Sequence, residues 1–275
     1  MKRSINIKGT VLDLSKPKVM GILNVTPDSF SDGGKYLDPN SAFEHAVLMK
    51  EQGASILDLG GFSSRPDAKS ITVQEELDRV LPIIERVQEL KIPISIDTFR
   101  SEVAKEAVNS GARIVNDISA GDDDPEMLET VAKLNVPFIA MHKQGKSANM
   151  QDNPKYFDVV DEVFEYLNKK KEECSALGIE DFIVDPGFGF GKTLDHNYLL
   201  LKNLDKFQEL GVPLLAGISR KSMIYKYLGE QPATALNGTT FLHAYALEGG
   251  ASILRVHDVK EAMECIALWE QISSV

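Results

Sequence analysis

The chain has 275 residues, 43% of them hydrophobic and 26% charged, a balance that supports a sizeable core and excludes an intrinsically disordered protein. Its 30 Lys and Arg against 41 Asp and Glu leave a net charge of −11, which excludes sequence-independent affinity for nucleic acid or an anionic membrane but still allows a local cationic site. No apolar stretch approaches the roughly 20 residues of a membrane span and the N-terminus leads into no signal-peptide core; Cys174 and Cys265 stand alone in helical patterns, so a cytoplasmic, reducing location is expected.

Residues 4–14 read as a small hairpin turning at Lys8-Gly9, of the kind that plugs the N-terminal end of a barrel. Eight short apolar runs follow, at 19–25, 55–59, 93–96, 113–115, 137–141, 182–184, 213–218 and 252–256. Helical patterns separate them at about 41–52, 73–90, 102–110, 125–134, 158–177, 196–210, 222–228 with 233–247, and 259–272. Gly53, Gly111, Gly178, Gly211 and Gly249 follow five of these as stop signals. Runs too short for helices, alternating with helices, imply βα units and a parallel sheet. Eight such units in about 250 residues predict one α/β domain over 1–275, a closed (β/α)8 TIM barrel behind a short N-terminal β-hairpin.

The runs end in polar residues: Asn24, Asp58, Asp97, Asn116 with Asp117, His142, Asp185, Ser219 with Arg220, and Arg255 with His257. Barrel active sites are built at the C-terminal ends of the strands, so these side chains share one face. The long connections 26–39, 60–72 and 143–157 belong to that face too, where lids over a substrate are found.

The first segment runs from Gly21 through Asn24, Phe30 and Asp32 to Gly34. An Asn carbonyl and Asp carboxylates suit Mg2+ shared with substrate phosphates, although Asx-capped turns would use the same residues. In Asp185-Pro186-Gly187-Phe188-Gly189-Phe190-Gly191-Lys192-Thr193 the glycine register excludes both nucleotide-binding patterns: Pro186 stands where a P-loop needs Gly, and Lys192 where the dinucleotide motif needs Gly. What remains is an acid at a strand end and a flexible loop that brings Phe188 and Phe190 to a ligand. Asp97, Asn116 and Asp117 can read a heterocycle edge. Lys221 and Ser222 begin a helix, where anions are welcome, and Arg255 and His257 lie on one side of the last strand, in the region where barrels often bind phosphate. His45, His196 and His243 fall in helical patterns without suitable partners, whereas His142 is left open as a ligand contact.

Together these segments, over about residues 19–262, resemble the dihydropteroate synthases, folate-pathway transferases that join a pterin to p-aminobenzoate. The resemblance implies displacement of pyrophosphate from 6-hydroxymethyl-7,8-dihydropterin pyrophosphate by the arylamine. It implies a pterin site of Asp97, Asn116, Asp185, Lys221 and Arg255, and a diphosphate site of Asn24, Arg255 and His257. Mg2+ would be held by Asn24 and Asp32, and p-aminobenzoate by Phe30, Ser64, Arg65, Pro66, Phe190 and Ser222. Asn24, Asp32, Lys221, Arg255 and His257 would carry the catalysis, and the family suggests a homodimer.

Two departures stand out. The second loop has Phe62, Ser64 and Asp67 where the commoner form has Glu, Thr and Gly, and Lys143 replaces a frequent Met and is expected to point to solvent. The rival readings are a methyltetrahydrofolate-binding, corrinoid-dependent methyltransferase barrel and a catalytically silent pterin-binding paralogue. The first has no use for a diphosphate site, and against the second every expected polar position is filled.

Overall fold

The computed structural model describes residues 2–25, 39–63, 70–145, 150 and 152–275. Strands β1 (Ser4–Ile7) and β2 (Thr10–Asp13) pair antiparallel. They are joined by Lys8 and Gly9 at φ 46° and 89°, the positive pair a tight two-residue hairpin turn requires. The strands β3 (Lys18–Asn24), β4 (Ile56–Gly60), β5 (Ile94–Asp97), β6 (Ile114–Asp117), β7 (Phe138–Met141), β8 (Phe182–Asp185), β9 (Leu215–Ala216) and β10 (Ile253–Val256) form one parallel sheet, in the order β8-β7-β6-β5-β4-β3-β10-β9. A single bridge, Val184 to Leu214, joins β8 to the start of β9 and closes the ring. This is the expected (β/α)8 barrel with its leading hairpin.

The helices are α1 (Pro39–Glu51), α2 (Val73–Val87), α3 (Ser101–Ser110), α4 (Met127–Leu134), α5 (Val159–Ala176), α6 (Leu194–Lys202), α7 (Ser222–Leu228), α8 (Leu236–Glu248) and α9 (Val259–Ser273). Two predicted helices are broken. The 73–90 pattern leaves α2 at Val87 for a 3₁₀ turn (Gln88–Leu90), and the 196–210 pattern divides at Asn203 into α6 and a 3₁₀ segment (Leu204–Leu210). At the second break Asn203 Nδ2 donates to the Leu199 carbonyl at 2.8 Å, a side-chain bond that competes with the helix ladder. Helix α6 also starts two residues earlier than expected, because Thr193 and His196 form a reciprocal capping box.

Side chains alternate across each strand, and the two faces build two cores. The outward face packs against the helices in the larger cluster. The inward face forms a smaller one in which Ile5, Ile7 and Leu14 of the hairpin region meet Met20, Ile56, Ile114, Ile139, Ile183, Leu215 and Ile253. The hairpin therefore floors the barrel, and the polar residues two positions further along the same strands face the open end.

Candidate active site

Across adjacent strands Asn24 pairs with Gly60, Gly60 with Asp97, and Asp97 with Asn116, so three predicted polar residues and a glycine share one rim. Gly60 is glycine for space: a Cβ there would lie 3.2 Å from Asn24 Oδ1 and 3.6 Å from Asp97 Cβ.

Arg255 crosses the interior from β10. Its Nε donates to Asp58 Oδ2 and its Nη2 to Asp97 Oδ2, both at 2.6 Å. Asn116 Nδ2 donates to the same Asp58 oxygen at 3.1 Å. Asp58 has no exposed surface, so these charge-assisted bonds are what make its burial tolerable. Burial pushes Asp97 up to about 7; Arg255 opposes the rise, while Asp58, Asp117 and Glu76 add to it. Asp58 was legible only as an acid at a strand end. Its partnership with Arg255 spans 197 positions and left no local signal.

Asp185 and Lys221 complete the wall. A Cβ on Gly217 would meet Asp185 Oδ2 at 3.6 Å, Lys221 Nζ at 3.8 Å and Arg255 Cβ at 4.0 Å, so the three groups surround one point. Burial raises the Asp185 carboxyl, with Lys221 pulling it back down. Lys221 Nζ donates to the Phe188 carbonyl and sits 4.5 Å from the centroid of the Phe190 ring. Burial lowers it to about 8, Asp185 resisting and Arg255 reinforcing the shift.

On the other flank Ser219 Oγ lies 3.0 Å from His257 Nδ1 and accepts the His257 backbone N–H at 3.2 Å. Both contacts are satisfied when the Ser219 hydroxyl donates to Nδ1, which places the ring proton on Nε2. Burial and Arg255 lower His257 to about 4. It therefore offers a neutral donor near pH 7 beside the Arg255 cation. Arg220, at φ 54°, ties the loops after β9 and β10 together through Asp258 at 2.8 and 2.7 Å.

Other expectations are corrected. Asp117 does not read a ligand: Ser119 and Gly121 occupy both its oxygens at 2.7 Å. Lys143 does not point to solvent; its side chain is 5% exposed and paired with Asp123. His142, left open as a ligand contact, is buried and engaged by Lys192 Nζ at 2.9 Å. Lys192 itself is almost wholly buried, where it also donates to the carbonyls of Gly187 at 2.9 Å, Phe190 at 3.1 Å and His142 at 3.2 Å. Phe62 packs edge-on to Phe99 at 5.1 Å, with the Arg100 guanidinium against both rings. Phe30, Asp32, Ser64, Arg65, Pro66 and Asp67 lie outside the described residues.

No group of three or more His, Cys, Asp and Glu able to hold a metal occurs among the described residues. Mg2+ retains several waters and takes one or two protein oxygens plus phosphate oxygens, and the half-exposed Asn24 at the rim offers one such hard donor.

A parallel barrel with a buried acid, amide and guanidinium set at its mouth has the architecture of a barrel enzyme, with its polar groups gathered at the C-terminal strand ends. The model of the pterin binding enzyme family matches residues 20–257. The chain is 47% identical to the dihydropteroate synthase of Escherichia coli K12 over 96% of its length and 94% of that protein. The Yersinia pestis dihydropteroate synthase crystallised with a sulfonamide drug superposes with a TM-score of 0.95 at 42% identity, covering 99% of this chain and 100% of that one. The Xanthomonas albilineans enzyme in complex with 7,8-dihydropteroate gives 0.89 at 40%, covering 99% of each chain. The chain belongs to the dihydropteroate synthase family of transferases.

Proposed function

We propose that the residues at the barrel mouth carry out the family's condensation in folate biosynthesis. The arylamine nitrogen of p-aminobenzoate bonds to the methylene carbon of 6-hydroxymethyl-7,8-dihydropterin pyrophosphate, the C–O bond breaks, and pyrophosphate leaves with the electron pair. The proton shed by the new amine passes to water. An arylamine is neutral and nucleophilic near pH 7, so the protein need supply no base; its work is to orient the reactants and stabilise the leaving charge. What supports the reading most is the meeting of Asp97, Asn116, Asp185, Lys221 and Arg255 in one pocket.

In this reading Asp97, Asn116 and Asp185 accept from the amino-pyrimidinone edge of the pterin, and Lys221 donates to it. Arg255 covers the ring face and, with His257 Nε2–H and Asn24, holds the diphosphate. Asn24 and Asp32 would hold Mg2+ against that diphosphate, where its charge offsets the negative charge of the departing group. Phe190 and Ser222 form part of the p-aminobenzoate pocket, with Phe30, Ser64, Arg65 and Pro66 of the two loops. Sulfonamides, as p-aminobenzoate mimics, would compete for it. The test is turnover: dihydropteroate and pyrophosphate should form only when pterin pyrophosphate, p-aminobenzoate and Mg2+ are all present. Undiminished turnover after exhaustive chelation would remove the metal from this account.

The pH dependence follows from two groups. Pterin recognition needs Asp97 ionised and Lys221 protonated, so kcat/KM for the pterin substrate should rise as pH passes about 7 and fall as it passes about 8. A flat profile from pH 6 to 9 would contradict these roles.

We further propose a cytoplasmic homodimer. No helix among the described residues is long and apolar enough to cross a membrane. Tyr227 and Leu228 of α7, Phe241 and Tyr245 of α8, and Leu268 and Ile272 of α9 expose between 55% and 73% of their surface on consecutive helices, a pattern that suits a second copy. A monomer mass by sedimentation at micromolar concentration would exclude it.

A further inference from the structure

Asp58 lies on β4 two residues above Ile56 of the barrel floor, with no exposed surface. Its Oδ2 receives both Arg255 Nε and Asn116 Nδ2, while its Oδ1 meets no donor among the described residues. A buried carboxylate that uses one oxygen twice and the other not at all is poor economy for stability, since an apolar residue of similar size would avoid the desolvation altogether. The atoms it holds are informative. Nε is the innermost nitrogen of the guanidinium, so anchoring it sets the plane of the group and turns Nη2 toward Asp97. Asn116 commits its amide nitrogen to Asp58, which turns its carbonyl oxygen away from β4 as an acceptor.

We propose that Asp58 is the positioning residue of the pterin site: by gathering Arg255 Nε and Asn116 Nδ2 on one oxygen, it sets the plane of the cation and the flip of the amide together. It thereby determines which pattern of donors and acceptors the heterocycle must present. Asp58 acts through its two partners, so the inference rests on the reading of Arg255 and Asn116 as pterin-contacting groups.

Asp58→Asn keeps the side-chain volume and removes the charge. It should lower kcat/KM for pterin pyrophosphate by about 10- to 100-fold, with the KM for p-aminobenzoate at saturating pterin held within about threefold. In an Asn116→Ala background the same substitution should cost about half as many decades, because part of what it does is already lost. An equal loss on both substrates, or a loss of the same size in both backgrounds, would overturn the proposal. Should the Asn variant fail to fold, the wild type decides the matter. The Arg255 Nε–H, followed by NMR in arginine-labelled protein without ligand, should be protected from exchange, and exchange at the rate of a solvated guanidinium overturns the proposal. Turnover by the wild-type enzyme tests the parent reading separately, since an inactive wild type sinks that reading whatever the variants do.

Discussion

Arg255→Met should cost the protein about 3–5 kcal/mol of stability and lower kcat/KM on the order of 10³-fold. The stability loss arises because the substitution strands a carboxylate with no exposed surface. Among the described residues Asp58 would keep only Asn116 as a partner, and Asp97 would lose the cation that now opposes its rise to about 7. The pH dependence has a definite sign. Without Arg255 the folded-state pKa of Asp97 climbs further above its unfolded value near 3.9, so the folded variant binds more protons than the unfolded one across that window. Its stability should therefore fall as pH rises from about 5 to 8, and much of the deficit should disappear in mild acid. Urea unfolding of wild type and variant at pH 5 and pH 8 measures this. A deficit that is the same at both values would mean that the stranded acids are not its source.

Lys192→Met should act from inside the β8 loop. The lysine has almost no contact with solvent, burial pushes its pKa well below the usual lysine range, and its amino group lies among the His142 imidazole and the carbonyls of His142, Gly187 and Phe190. Burial lowers His142 to about 2, with the Lys192 charge adding to the shift, so the ring is neutral and its Nδ1 free to accept. Each acceptor left unpaired in such a site costs about 1–3 kcal/mol, so the variant should lose several kcal/mol. Function should suffer with it. The same loop carries Asp185, whose carboxylate takes the Gly187 N–H at 2.7 Å, and the Phe188 carbonyl that anchors Lys221. In the proposed site Phe190 lines the p-aminobenzoate pocket, so the KM for that substrate should rise at least tenfold. Lys192→Arg should not rescue, because a planar guanidinium does not fit a socket shaped for a compact ammonium. Denaturation and steady-state kinetics check both parts, and a variant with wild-type stability would show the socket to be dispensable.

The barrel was legible because its strands are short, apolar and regularly spaced, and because glycines stop the helices between them. The rim was legible for a related reason: Asn24, Asp97, Asn116, Asp185 and Arg255 all sit at strand ends, and topology turns one-dimensional position into a shared face. What could not be read is how those groups are paired. Asp58 and Asp117 look alike as strand-end acids, yet one anchors Arg255 across the barrel and the other is consumed by its own turn. Lys143 and Lys192 would both pass for solvated charges, and both are buried against partners 20 and 50 positions away. The helix breaks after Val87 and at Asn203 escaped for the opposite reason: they are local but slight, at Asn203 a side-chain amide sharing the Leu199 carbonyl with the backbone rung of a periodic pattern.

The ring of strands has one weak link. Everywhere else adjacent strands are laced by continuous ladders, but β8 meets β9 through one bridge, and β9 itself is only two residues long. Asp185 stands at the end of one strand flanking this seam and Gly217 just past the end of the other. A hoop fastened this way does not breathe evenly, because thermal fluctuation concentrates at the clasp. The pocket wall that contains Asp185 and Lys221 is therefore expected to widen or narrow more easily than the wall built by Asn24, Asp97 and Asn116. In the proposed site, variation in the size of a bound heterocycle should then be accommodated from one side, as in a vice with a single moving jaw.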